Sequence, residues 1–159
     1  MGKLFPPAPA GLLVVLLATG CGIIPGSGAE TCVDWVRFSS PQEQYDNSGL
    51  VVIGTSAAEA GETSIYGYAA TTHLIEVERV LKGEPGDGPL RISSTPETCT
   101  GGESYPHGDP LGTDGRSIIF ANQQDGGWYT LTPEQGVLPF KQGNELPFRP
   151  SSVPGRTSR

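Results

Sequence analysis

Two hydrophobic patterns run along this chain: short uninterrupted apolar runs, and one long stretch of alternation. Leu-Val-Val-Ile-Gly-Thr at 50–55 is apolar and β-branched, and its length suits a buried strand rather than a helix. Between 66 and 81, Ile75, Val77 and Leu81 alternate with Leu74, Glu76 and Glu78 until the pattern slips near Arg79 and Val80. A slip of one residue turns the side chains that follow to the opposite face, so a bulge is expected there. Lys-Gly-Glu-Pro-Gly-Asp-Gly at 82–88 is turn chemistry throughout, and 90–95 returns as the partner strand with Leu90 and Ile92 inward. Residues 116–121 and 128–132 read as a second hairpin joined across 122–127, with a short edge strand at 136–140. Ser40, Pro41 and Glu43 form a helix start, with a capping hydroxyl, a proline at the first helical position and a glutamate placed to return a bond. One or two helical turns should run to Asn47 and stop at Gly49. Residues 57–64 read as a connecting loop with some helical character from their alanines.

The remainder is poor in apolar side chains. From 96 to 115 only Tyr105 and Leu111 interrupt a polar run with five Gly and three Pro, which predicts a long surface loop pinned by Cys99. After Lys141 the composition turns to Pro, Ser and Arg, so 142–159 is expected to be a disordered tail. With 23 Gly and 15 Pro in 159 residues, short strands and many turns are favoured over long helices. The expected fold is all-β: a small five-stranded, Greek-key barrel of the oligonucleotide/oligosaccharide-binding (OB) type with one short helix, occupying 32–141 as a single domain.

The most apolar run, Gly-Leu-Leu-Val-Val-Leu-Leu-Ala at 11–18, follows Lys3 and breaks at Gly20, with Pro25, Gly26 and Gly28 beyond. It falls short of the ~20 residues needed to cross ~30 Å of hydrocarbon, so it reads as an export signal over 1–20 rather than a span. Ala18, Thr19, Gly20 and Cys21 close it. This stretch resembles the lipobox of bacterial lipoproteins, with Ala18 standing where that motif prefers Leu. The resemblance implies cleavage before Cys21, lipidation of its thiol and an extracytoplasmic protein anchored to the cell membrane through acyl chains. An ordinary secretory signal that Cys21 merely follows is the alternative. Residues 21–31, Gly-, Ser- and Pro-containing, would serve as a tether. Without the leader, nine basic side chains face 17 acidic ones, a formal charge of −8. That balance argues against nucleic acid and against direct adhesion to anionic lipid.

Once Cys21 is assigned to lipid, Cys32 and Cys99 form an even pair in an oxidising compartment and are expected to bond, two separate buried thiols being the alternative. The bond would close a loop of 67 residues, which chain-entropy arithmetic values at ~4 kcal/mol. The order of elements resembles the netrin-like module of the tissue inhibitors of metalloproteinases and small bacterial lipoproteins built on the same barrel. The carrying stretches are Cys32, 50–55, Ile-Glu-Val-Glu-Arg-Val-Leu-Lys-Gly at 75–83, Cys99, and 108–111 leading into Ile118, Ile119 and Phe120. Protease inhibition does not follow, because in the inhibitors a free amino-terminal Cys grips the catalytic zinc, whereas here the first Cys would be acylated and Cys32 is internal.

The chemistry-bearing residues are few. His73 and His107 have no His or Cys at metal-ligand spacing, and His73 shares parity with Ile75 and Val77, which suits a half-buried structural role. His107 lies beside Asp109, a pair that could serve acid–base chemistry but arises readily in a polar loop. Glu97, Glu103, Asp109 and Asp114 bring four carboxylates to the Gly-rich loop without an Asp-x-Asp-x-Asp-Gly run, so a solvated loop is favoured over a calcium site. Gly-x-Ser-x-Gly, Ser-x-x-Lys and P-loop motifs are missing, so neither an enzyme nor a metal or other cofactor is expected. Tyr66, Tyr68, Tyr105, Trp128 and Tyr129 suit core positions better than sugar stacking. The expected function is a non-catalytic module that binds an envelope protein or cell-wall ligand through the loop carrying Glu97, Glu103, Tyr105, His107, Asp109 and Asp114. The alternatives are a structural or accessory envelope lipoprotein and, less favoured, a hydrolase with an unrecognised site.

Overall fold

The computed structural model describes residues 32–99 and 102–151. The leader, Cys21, the tether and the last eight residues lie outside them. One helix, α1 (Pro41–Asn47), precedes six strands: β1 (Leu50–Ile65), β2 (Tyr68–Lys82), β3 (Leu90–Ser93), β4 (Arg116–Gln124), β5 (Gly127–Thr130) and β6 (Val137–Pro139). Five of them form a ring in the order β1, β2, β3, β5, β4 and back to β1. All contacts around the ring are antiparallel except that of β3 with β5. β6 pairs with β4 outside the ring.

The ring closes because the first part of β1 pairs on both edges. Residues 50–55 face Ala121 back to Arg116 on one side, and 51–55 face β2 on the other. Both faces of this stretch are covered as well, which explains its unbroken apolar run. Leu50 and Val52 pack inside the ring with Ile75, Leu90, Ile92, Ile119 and Ala121, while Val51 and Ile53 pack on the opposite face with Tyr45, Ile118, Phe120, Phe140 and Phe148. Gly54 is required where the strands draw closest, since a Cβ there would stand 2.5 Å from the Glu76 carbonyl oxygen.

Residues 57–64 continue β1 instead of forming the expected loop. Ladder bonds to 69–74 outweigh the helical preference of their alanines. Single extra residues at Ala57 and Ala60 in β1, and at Glu78 and Leu81 in β2, shift the register four times. The last two fall where the alternation slips. Val77 remains 37% exposed although it shares a face with Ile75, because β3 pairs with β2 no further than Leu90 opposite Ile75. Tyr66 (φ 53°) and Gly67 (φ 84°), and likewise Asp125 (φ 49°) and Gly126 (φ 82°), make the two-residue turns whose twist suits hairpin strands.

α1 begins as expected, with Ser40 Oγ accepting the Glu43 N–H. The Glu43 carboxylate returns one residue earlier than expected, to the Ser39 N–H and hydroxyl, both at 2.7 Å. These bonds, the hydroxyl's first, hold the Glu43 carboxyl below its ordinary pKa.

The ordered domain also runs past 141. Phe148 is 6% exposed, stacks on Tyr45 with ring centroids 4.7 Å apart and meets Phe120 edge-on at 5.7 Å. The Arg149 N–H donates to Gln42 Oε1 and the Ser151 N–H to Tyr45 Oη. The tail expected from 142 is therefore corrected: residues 142–151 cover the outer face of β1 and β4, and their Pro- and Arg-rich composition hid one aromatic anchor. Phe148→Ala should lower the free energy of unfolding by about 3–5 kcal/mol in urea titration, whereas a disordered tail would show no change.

Candidate functional site

Among its described residues the connection between β3 and β4 has no strand of its own, and polar side chains meet much of its hydrogen-bonding need. The Ser94 N–H donates to the Thr71 carbonyl at 2.8 Å, the Thr95 N–H to Thr130 Oγ1 at 2.8 Å, and the Thr95 hydroxyl to the Thr130 carbonyl. Ser94, Thr95 and Thr98 are each at most 1% exposed. The segment expected at the surface from 96 thus begins buried, since short hydroxyl side chains bond its backbone without water. Cys99 is bonded to Cys32, which ties the loop to the chain's first described residue. Gly-rich 108–115 returns over the open end of the ring, with Leu111 driven into the interior core.

Asp109 organises this loop. Oδ1 accepts the Leu111 N–H at 2.9 Å and the Ser94 hydroxyl, and Oδ2 lies 2.9 Å from Nε2 of His73. An ionised carboxylate only accepts, so this bond assigns a proton to Nε2 of His73, and in the neutral ring Nδ1 is then the lone-pair nitrogen. That lone pair faces the Ser56 hydroxyl at 3.1 Å. His73 is 4% exposed, more deeply buried than its parity suggests. The neighbour that looked like Asp109's partner in sequence, His107, is exposed and has no part in this network.

Tyr105 is the second anchor. Its hydroxyl accepts the Thr71 N–H at 2.9 Å and donates to the Ser94 carbonyl at 2.8 Å. Burial pushes the phenol above its ordinary pKa, the bond from Thr71 pulls it back, and the charge of Asp109 adds to the upward push.

Two adjoining hollows, of about 190 and 310 Å³, lie between this loop and the 132–135 turn and share Glu97, Pro133 and Glu134. Together they form one groove. Four expected site residues line it: Glu97, Tyr105, His107 and Asp109. Glu103 does not line it, and Asp114 lies across the loop in a separate cleft with Ser56 and His73. Among the described residues no three His, Cys, Asp or Glu side chains gather as metal ligands. The far wall is one that sequence reasoning missed, the 32–37 segment. Trp35 lines the groove and lies 6.2 Å from the Tyr66 ring, while Val33, Val36 and Tyr66 are 42, 65 and 61% exposed. Trp35 Nε1 and Thr98 Oγ1 are buried there without a hydrogen-bond partner. Asp34, Glu97 and Glu134 make the lining acidic, with the Arg37 cation paired to Glu134 at 2.9 Å. A broader depression of about 450 Å³ on the ring's other side is lined by Arg91, Trp128 and Tyr129, but Tyr129 is 8% exposed and Trp128 packs on the interior core. The Cys21 lipidation site lies outside the described residues.

In comparisons with protein-family models and with curated proteins, the sequence matches none.

Tyr105→Phe leaves the Thr71 N–H and the Ser94 carbonyl without their partner and should cost about 1–2 kcal/mol in chemical denaturation. A raised phenol contributes stability that is complete below the ordinary tyrosine range near pH ~10 and is lost as pH rises through the folded value. The alkaline decline in melting temperature should therefore be shallower in Tyr105→Phe than in wild type.

Proposed function

We propose that this chain is a lipid-anchored, extracytoplasmic binding module whose groove between the 94–115 loop and residues 32–37 receives a protein or cell-wall ligand. Cys21 carries the acyl chains, 21–31 is the tether, and the five-stranded ring is an OB-type barrel related to the netrin-like modules. What supports the fold assignment is the placing of β5 between β3 and β4, a Greek-key arrangement of the kind an OB barrel has. What supports the location is the leader's resemblance to a lipoprotein signal, together with a disulfide of the kind that persists in oxidising compartments.

The binding reading is carried by one observation: the groove presents an exposed apolar ridge, Val33 at 42% and Val36 at 65%, beside the acidic side chains of Asp34, Glu97 and Glu134. Exposed apolar side chains rimmed by polar ones are a feature of interaction surfaces. A ligand with an apolar surface to cover the valines would complete the site. The acidic lining favours a neutral or basic ligand over an anionic one.

The full chain in an envelope preparation from its own host, carrying a photoreactive phenylalanine at Val36 or, as control, at Arg79 on exposed β2, tests the reading. A discrete cross-linked adduct at 36 that is absent at 79, with the wild-type chain in the membrane fraction and Cys21→Ser released from it, is the expected result. Equal adducts at both positions, or none at 36, would remove the groove assignment, and membrane retention of Cys21→Ser would remove the anchor.

A further inference from the structure

On the opposite side of the 109–113 segment from the groove, Ser56, His73 and Asp109 form a continuous hydrogen-bonded relay whose serine end opens to solvent. We propose that Ser56 is a nucleophile activated by His73, and that this cleft hydrolyses small neutral carboxylic esters by way of an acyl-serine. The cleft shares Asp109 and Thr113 with the groove but uses neither Trp35 nor the valine ridge.

The fold supplies the relay from three separate places. Ser56 opposes Ile75 across the ladder, and the extra residue Ala57 shifts the register so that β1 offers Ser56 diagonally to His73, two residues from Ile75 on the same face of β2. Asp109 arrives from the loop, fixed by the Leu111 N–H and the Ser94 hydroxyl before it meets His73. Asp109 thereby sets the tautomer. With Nε2 donating to the carboxylate at 2.9 Å, Nδ1 is free to accept the Ser56 proton at 3.1 Å, the arrangement a serine nucleophile and its base require. The imidazole is buried while Ser56 is only partly so. The base is thus better shielded from water than the nucleophile.

Ser56 and His73 line a cleft of about 180 Å³ with Leu111, Gly112, Thr113 and Asp114. At ~30 Å³ per water that is the room of a short acyl group. The lining includes Glu59 and Asp114 and no Lys or Arg, which disfavours anionic acyl groups. Thr113 borders the same cleft, and its hydroxyl makes only a 3.4 Å bond to the Pro110 carbonyl, which it can exchange for a developing oxyanion.

In the first half-reaction Ser56 Oγ bonds to the ester carbonyl carbon while its proton passes to His73 Nδ1. Collapse of the tetrahedral adduct breaks the bond to the alcohol oxygen, which takes that proton and leaves as the alcohol. Water then attacks the acyl-serine, gives a proton to Nδ1, and collapse releases the carboxylic acid as Ser56 Oγ recovers the proton. The sum is ester plus water to acid plus alcohol, with no further reactant. Ser56 and His73 are the catalytic residues, and Asp109 is a positioning residue.

The purified full chain is mixed with p-nitrophenyl acetate, and p-nitrophenolate release is followed alongside peptide mapping of the protein. Expected are a burst stoichiometric with protein and an acetyl group on Ser56. Ser56→Ala should lose the burst and about a hundredfold or more of turnover while keeping the wild-type circular-dichroism spectrum, since the Asp109 to His73 bond persists in it. Asp109→Asn offers His73 an N–H as well as a carbonyl and lets the tautomer reverse, so kcat should fall at least about tenfold while KM moves less than about threefold. A folded wild-type protein acetylated only on lysines, a burst undiminished in Ser56→Ala, or an Asp109→Asn change confined to KM would each overturn the proposal.

Discussion

The candidate surfaces of this structure depend on one carboxylate. Asp109 gathers a proton donor from β2, one from the residue that follows β3 and one from its own loop, and so fastens a connection of more than twenty residues whose described part makes no ladder contacts apart from the Cys99 bridge. Bonds to an ionised acceptor are about twice as strong as neutral ones, and a carboxylate desolvated without them would be costly. The same three bonds seat Leu111 in the interior core, hold one wall of the groove and fix the tautomer of His73. Tyr105 and the Cys32–Cys99 bridge reinforce the loop at its two other points of departure from the sheet.

Beneath the loop, ring closure rests on β1. Residues 51–53 are flanked on both edges and covered on both faces, and with Leu50 their four side chains are fully enclosed. Such a segment can be built only from apolar residues, and for that reason it was legible at once. β3 and β4 were legible for related reasons, Leu90 and Ile92 by alternation and 118–121 by an apolar run. The second half of β1 was not. Its Ala, Gly and Glu positions are exposed and carry no periodic signal, and its strand character comes from the partner 69–74, a long-range fact. Phe148 was missed because a single aromatic in a Pro- and Arg-rich stretch has no pattern around it.

Site legibility divides the same way. The Cys32–Cys99 bond followed from counting once Cys21 was set aside for lipid, because two remaining cysteines leave one pairing. The pairing of His73 with Asp109 spans 36 positions, and nothing local distinguishes it from the nearer and wrong choice of His107. Ser56 falls between the apolar run at 50–55 and the alanines that follow and carries no signal of its own, and only the bulge at Ala57 gives it a direction. Of the candidate loop residues, those whose side chains or backbone lie along the 132–135 turn came together, while Glu103 and Asp114 point the acidic cluster apart and leave no cation cage. The 32–37 wall was invisible because its valines and tryptophan alternate too briefly to separate an exposed ridge from a strand.

Groove and cleft thus share a partition, the 109–113 segment, and Asp109 holds it in place for both. The measurement that tests this most directly is the side-chain ¹⁵N–¹H spectrum of the histidines at neutral pH, in wild type and in Asp109→Asn. A slowly exchanging His73 proton on Nε2, with Nδ1 unprotonated, and its loss or transfer to Nδ1 in the variant is the predicted result. A His73 protonated on Nδ1 in wild type, or exchanging with solvent as fast as His107, would contradict the account.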